Sequence, residues 1–205
     1  MDFKEKNKKL IEELKREGII DKKILDAIEN TPRHLFVRKE HLSEAYNNYP
    51  LPIGNEATIS QPYTVAFMLE KIELKKGLKV LEIGTGSGWN AALIAEIIKP
   101  GKIYTTEITT SLVKFAKENI KKIKIKNIKI IRAKEIGYKK EALYDRIIVT
   151  AASKNIPEEL LNQLKNNGIM LIPVGEYSQK MLKIRKLKDK IKTEDLGGFM
   201  FVPLR

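Results

Sequence analysis

The sequence predicts an α/β protein with a doubly wound, mostly parallel sheet and helices on both faces, preceded by a helical extension and closed by antiparallel C-terminal strands. Three observations predict it. Before about residue 76, apolar residues recur at helical spacings of three and four; from Gly77 onward, short β-rich runs alternate with helical stretches; from Met181 the alternation gives way to consecutive strand-like runs. At 205 residues the chain fits one domain, with 1–76 as a helical lead-in and 77–205 as the sheet-and-helix core.

In order, Leu10, Ile11 and Leu14 mark a first amphipathic helix, and Ile24, Leu25 and Ile28 a second, with Asp21 placed to cap it. Thr31-Pro32 repeats a start signal, because proline at a first helical position forfeits no needed hydrogen bond. Residues 51–60, punctuated by proline, glycine and asparagine, read as a loop before a further helix. Then come a strand over 79–83, a helix over 90–98, a strand over 102–107, a helix from about 110 to 122 and a strand over 128–132. An apolar strand over 145–151, a helix over 157–164 and a strand over 168–174 follow, and the last two runs meet at a turn centred on Asp189. The lysines alternating with isoleucines between Lys121 and Ile130 suit an edge strand, where charge discourages pairing with another sheet; a nucleic-acid stripe is the competing reading.

Composition narrows the functions. With no cysteine, and only His34 and His41 as histidines, the chain offers no disulfide, no thiolate metal site and no histidine-built metal centre. No apolar run approaches the ~20 residues that span a bilayer, and the charge-alternating N-terminus is unlike a secretory signal. A cytoplasmic protein without a membrane partner is expected. The net charge of +13 suits an acidic substrate or nucleic acid, but the lysines are dispersed through Lys/Glu/Ile-rich helices, as on solvated faces or in heat-resistant proteins.

The most informative segment is VLEIGTGSGWN, Val80–Asn90, where an apolar strand runs through Gly84, Gly86 and Gly88 into a helix. Glycines there allow a tight turn and a close approach of backbone N–H groups to a ligand at a helix N-terminus. A dinucleotide fingerprint needs glycine or alanine where Trp89 stands, and a P-loop needs a lysine that 84–98 lacks. The Glu82-x-Gly84-x-Gly86-x-Gly88 pattern resembles instead the first motif of class I methyltransferases, a Rossmann-like fold whose loop holds the amino-acid end of S-adenosylmethionine. Glu107, nineteen residues after Gly88 at the end of the next strand, is placed to accept hydrogen bonds from both ribose hydroxyls.

The block ATISQPYTVAFMLEKIELKKGLKVLEIGTGSGWNAALIA, 57–95, is similar to the centre of the protein L-isoaspartate O-methyltransferases, and TPRHLFV, LPIG, YDRIIVTAA, IPEELLNQLKNNGIMLIPVG and FVPL follow that family's order over nearly the whole chain. The resemblance implies methyl transfer from S-adenosylmethionine to the free carboxylate of L-isoaspartyl or D-aspartyl residues in damaged proteins and peptides. It implies Ser60 as the active-site serine, and Ile59, Gln61, Glu82, Gly84, Thr85, Gly86, Ser87, Gly88, Glu107, Ile108, Ala133 and Lys134 as the cofactor-binding set. It also implies that the N-terminal helices and the loop before Ser60 line the peptide cleft; independently of the resemblance, a monomer is the default expectation. Chemically Ser60 is also placed to cap the following helix, accepting from the N–H of Tyr63.

The reaction asks for no general base, because the nucleophile is an ionised carboxylate and the sulfonium is a good leaving group. One departure stands out: Arg132-Ala133-Lys134 occupies the place where the family usually has Gly-Asp-Gly, so its adenine-contacting Asp is missing, and Glu135 is the nearest carboxylate. Two alternatives follow, an RNA methyltransferase, motivated by the charge, and a family member with lost or redirected activity, motivated by Ala133.

Overall fold

The computed structural model describes residues 2–188 and 190–204. Helix α1 (Phe3–Arg16) begins where the Asp2 carboxylate accepts from the N–H groups of Lys4 and Glu5, and buries Leu10, Ile11 and Leu14. Helix α2 (Lys22–Asn30) begins at Asp21, which accepts from the Lys23 N–H, as its sequence predicts. Asn7 joins the two helices by donating to the carbonyls of Ile28 and Glu29, which α2 leaves without intrahelical partners.

The Thr31-Pro32 start signal produces no α-helix. Thr31 closes α2, and only a 3-10 turn, Arg33–Leu35, follows. Burial of the Arg33 and Phe36 side chains in this turn overrides the local signal. The expected loop over 51–60 also needs correcting. Strands β1 (Leu51–Gly54) and β2 (Ala57–Ile59) pair as an antiparallel hairpin. Asn55 and Glu56 turn it at φ 54° and 58°, the left-handed geometry of a type I′ turn. Helix α3 (Pro62–Lys71) follows, and its Glu70 accepts from the N–H groups of Ile20 and Asp21.

The main sheet comprises β3 (Lys79–Ile83), β4 (Lys102–Glu107), β5 (Ile128–Arg132), β6 (Tyr144–Val149), β7 (Leu164–Val174), β8 (Gln179–Leu187) and β9 (Lys190–Phe199), in the order β5-β4-β3-β6-β7-β8-β9. Strands β5 to β7 run parallel, and β8 and β9 add antiparallel. Helices α4 (Trp89–Ile98), α5 (Thr110–Lys121) and α6 (Glu158–Gln163) link the parallel strands. Helix α6 is shorter than its sequence suggests because β7 starts at once, with Leu164 opposite Tyr144. Strands β8 and β9 meet with Leu187 opposite Lys190, while the expected turn centre Asp189 lies outside the described residues. Strand β5 is an edge with Lys129 exposed on it, while Lys124 and Lys126, also exposed, lie in the loop between α5 and β5, so the Lys/Ile run only ends in the edge strand.

Side chains alternate across this sheet. Val80, Ile148, Ile169 and Leu171 face the core shared with α1 to α4, while Leu81, Ile83, Ile147, Met170 and Ile172 face a second core with Leu160 of α6. The chain steps outward from β3 through β4 to β5, then returns to β6 on the other side of β3. That reversal opens a crevice beyond the carboxyl ends of β3, β4 and β6, where ligands bind in open α/β sheets.

Candidate active site

The crevice is a cavity of about 1550 Å³, well above the ~300–1,000 Å³ of an ordinary small-molecule pocket. It has room for a cofactor and a segment of peptide. Its floor is the turn after β3. Gly84 sits at φ 95°, and a Cβ on it would lie 2.4 Å from the Thr150 hydroxyl, which itself donates to the carbonyls of Ile83 and Gly84. The N–H groups of Gly84 and Thr85 both donate to the Thr106 carbonyl, and Gly88 N–H donates to Thr85. Several loop N–H groups expected to meet a ligand are therefore spent on holding the turn.

Gly86 makes the connection that matters most. Its N–H donates to Glu107 Oε2 at 3.1 Å, and Thr109 N–H donates to Oε1 at 2.9 Å. The two bonds fix the Glu107 carboxylate at the end of β4 against the cavity, and each oxygen keeps a lone pair for a ligand hydroxyl. Ile108, Ala133 and Lys134 continue the wall, with Glu135 beside them, ion-paired to Lys139 at 3.4 Å. Carboxylate, glycine turn and apolar flank match the chemistry of a ribose, an amino-acid tail and an adenine ring, so these residues fit S-adenosylmethionine.

Across the cavity stand Ile59, Ser60 and Gln61. The capping role that sequence offers Ser60 is not what the structure shows, because the Tyr63 N–H donates to Asn48 Oδ1 at 3.0 Å instead. The Ser60 hydroxyl has no protein partner among the described residues, and Ser60 lines the cavity.

Of the residues assigned from sequence, Ile59, Ser60, Gln61, Gly84, Thr85, Gly86, Ser87, Glu107, Ile108, Ala133 and Lys134 border this one cavity. Two do not. Gly88 faces Ala116 and Ile120 of α5, where a Cβ would make only ordinary contact, and it is the left-handed φ of 86° at the start of α4 that favours glycine there. Glu82 is fully buried beneath the loop, accepting from Asn90 Nδ2 at 2.7 Å and from the Thr105 hydroxyl, which also bonds Thr85. Alternation along β3 puts Glu82 on the α4 side of the sheet, where it supports the turn from below. Sequence reading missed Trp89, Asn90, Thr150 and the C-terminal stretch Phe199–Leu204, all of which line the cavity. Thr150 directly follows an apolar parallel strand, a position that could have flagged it.

Burial raises the Glu82 carboxyl to about 7 from an ordinary 4.5, partly offset by the bonds from Thr105 and Asn90 and reinforced by nearby Glu107. A raised folded-state value means that the protonated form contributes stability below about pH 4.5, and that this contribution is lost as pH rises through 7. Glu82→Gln is expected to flatten that loss, by up to about 3 kcal/mol between pH 4.5 and 8. Urea unfolding of both proteins across this range checks it, and parallel stability curves would contradict it.

Comparison with known proteins bears on the whole chain. The family model described as protein-L-isoaspartate(D-aspartate) O-methyltransferase matches residues 5–205. A protein-L-isoaspartate O-methyltransferase of Dictyoglomus turgidum is 48% identical over 99% of this chain and 92% of its own length, and one of Pyrococcus horikoshii is 47% identical over 98% and 93%. A Plasmodium falciparum protein-L-isoaspartate O-methyltransferase, crystallised with S-adenosyl-L-homocysteine, superposes with a TM-score of 0.87 at 32% identity, covering 97% of this chain and 98% of that one. A tRNA (m1A58) methyltransferase from Aquifex aeolicus reaches a TM-score of 0.52 at 18% identity, which shows a shared fold alone.

Proposed function

The chain belongs to the protein-L-isoaspartate(D-aspartate) O-methyltransferase family, and from that premise we propose how its cleft performs the reaction. The enzyme transfers a methyl group from S-adenosylmethionine to the free carboxylate of L-isoaspartyl or D-aspartyl residues in damaged proteins. When bound, the cofactor supplies an electrophilic methyl on a sulfonium.

The protein's own part is positioning. Glu107 would hold the ribose hydroxyls, the turn from Gly84 to Ser87 the amino-acid end, and Ile108, Ala133 and Lys134 the adenine, with Glu135 the carboxylate offered to its amino group. Ile59 and Gln61 complete the enclosure, and Glu82 acts through Asn90 and Thr105 rather than by contact. The Ser60 hydroxyl would donate to the substrate carboxylate and orient one of its oxygens for methyl transfer. Orientation of this kind contributes up to ~7–11 kcal/mol in favourable systems, and no proton needs to be removed. The observation that carries this reading is the uncommitted Ser60 hydroxyl, on the same cavity as Glu107 and the glycine turn.

Ser60→Ala tests it. One hydrogen bond to a charged group contributes ~1.5–3 kcal/mol, so kcat/KM for an isoaspartyl peptide is expected to fall about tenfold to hundredfold with cofactor affinity intact. Unchanged peptide kinetics would remove Ser60 from the mechanism.

We place the enzyme in the cytoplasm as a one-domain monomer without a nucleic-acid partner, with residues 1–76 walling the peptide side. Support comes from the absence of cysteine, from the lack of any helix long and apolar enough to cross a membrane among the described residues, and from the position of the end of the Lys/Ile run on the edge strand β5. A sedimentation mass well above 23.5 kDa, or salt-sensitive RNA binding, would overturn the corresponding part.

A further inference from the structure

We propose that Asn48 is a positioning residue for the active site, holding the first turn of α3 so that Ser60 is free to face the substrate. The inference rests on the reading of Ser60 given above. A helix start leaves N–H groups without intrahelical acceptors, and a nearby side chain usually supplies one. At α3 the local candidates fail. Gln61 sits at the cap position without accepting a capping bond, and Pro62 has no N–H. The first available donor, Tyr63 N–H, is met by Asn48 Oδ1 at 3.0 Å, from a segment well upstream in the chain.

Asn48 makes this contact in a fixed orientation. Its Nδ2 donates to both carboxylate oxygens of Glu17 at 3.1 Å, and its backbone carbonyl accepts from Gln61 Nε2 at 3.0 Å. Flipping the amide would set its NH₂ against the Tyr63 N–H and its oxygen against a carboxylate, so the two partners together enforce one rotamer. The turn that carries Asn48 is anchored to the cofactor side as well. Arg33 donates to the Tyr49 carbonyl at 3.5 Å, and its guanidinium stacks 4.6 Å over Trp89, the first residue of α4. Because the cap comes from outside the segment, the Ser60 hydroxyl is not consumed as one.

Kinetics on the full chain with an isoaspartyl peptide, and calorimetry with S-adenosylmethionine, test the proposal. Asn48→Ala is expected to lower kcat/KM about tenfold while the cofactor Kd stays within twofold. In the double variant Asn48→Ala/Ser60→Ala, the loss is expected to match that of Ser60→Ala alone, because Asn48 acts through Ser60. Asn48→Asp keeps the acceptor for Tyr63 but opposes Glu17, so Asn48→Asp/Glu17→Gln is expected to perform within threefold of Glu17→Gln. That pair also decides the matter if Asn48→Ala fails to fold.

An impaired Ser60→Ala beside an unimpaired Asn48→Ala would overturn the proposal and leave the Ser60 reading standing. Losses that multiply in the double variant, or no recovery in the Asp/Gln pair, would also overturn it. A silent Ser60→Ala would instead overturn the reading on which it rests.

Discussion

Replacing Glu107 by alanine is expected to weaken S-adenosylmethionine binding by about a hundredfold or more. Two ribose hydroxyls lose a charged acceptor, each such bond contributing ~1.5–3 kcal/mol, and Gly86 and Thr109 lose the oxygens that hold their N–H groups. The glycine turn thus loosens at the same stroke. Glu135→Ala provides the contrast, since its carboxylate offers one bond rather than two, is 63% exposed and is already ion-paired to Lys139, so solvent screening should hold the loss of affinity to about tenfold or less. Calorimetric titration of the three proteins checks the order. A Glu107→Ala affinity within threefold of the wild type would remove that residue from the cofactor site.

The second large effect is expected from Gly84→Ala. At φ 95° an alanine is strained, and its Cβ would lie 2.4 Å from a Thr150 hydroxyl that cannot swing away without abandoning Ile83 and Gly84. Left-handed backbone costs ~1–2 kcal/mol and overpacking ~1–3 kcal/mol, so a destabilisation of about 2–5 kcal/mol is expected, along with loss of cofactor binding. Adding Thr150→Ala should return the steric part and leave the backbone part. Denaturant midpoints near the wild-type value for Gly84→Ala alone would show that the turn tolerates a side chain.

Periodicity made the parallel core legible from sequence, because a doubly covered sheet demands apolar strands and punctuated helices, and β3, β4 and β5 fall at their expected residues. The glycine turn and Glu107 were legible for a related reason, since their spacing follows from the reach of one ligand across two adjacent strands. What escaped depends on tertiary partners. In the 51–59 hairpin, the alternation of buried Leu51 and Ile53 with exposed Pro52 and Gly54 is masked by turn-forming residues. Thr31-Pro32 carries a valid local signal that burial of Arg33 overrides. Ser60 reads as a cap until Asn48 is seen to supply one. The Phe199–Leu204 stretch is held at the cavity by Ala152, whose N–H donates to the Val202 carbonyl and whose carbonyl accepts from the Leu204 N–H, and by the Gln179 side chain, which exchanges two bonds with the Phe201 backbone, pairings no local pattern announces. Glu82 and Gly88 were recognised as part of the motif but not for their direction, which the alternation of β3 and the approach of α5 decide.

The most direct test of the account is methyl transfer from labelled S-adenosylmethionine to two peptides of one sequence, one carrying L-isoaspartate and the other ordinary aspartate. Label on the isoaspartyl peptide alone, with the rate cut about tenfold to hundredfold in Ser60→Ala, is the predicted result. Equal labelling of both peptides, or none on either while the cofactor is demonstrably bound, would contradict it.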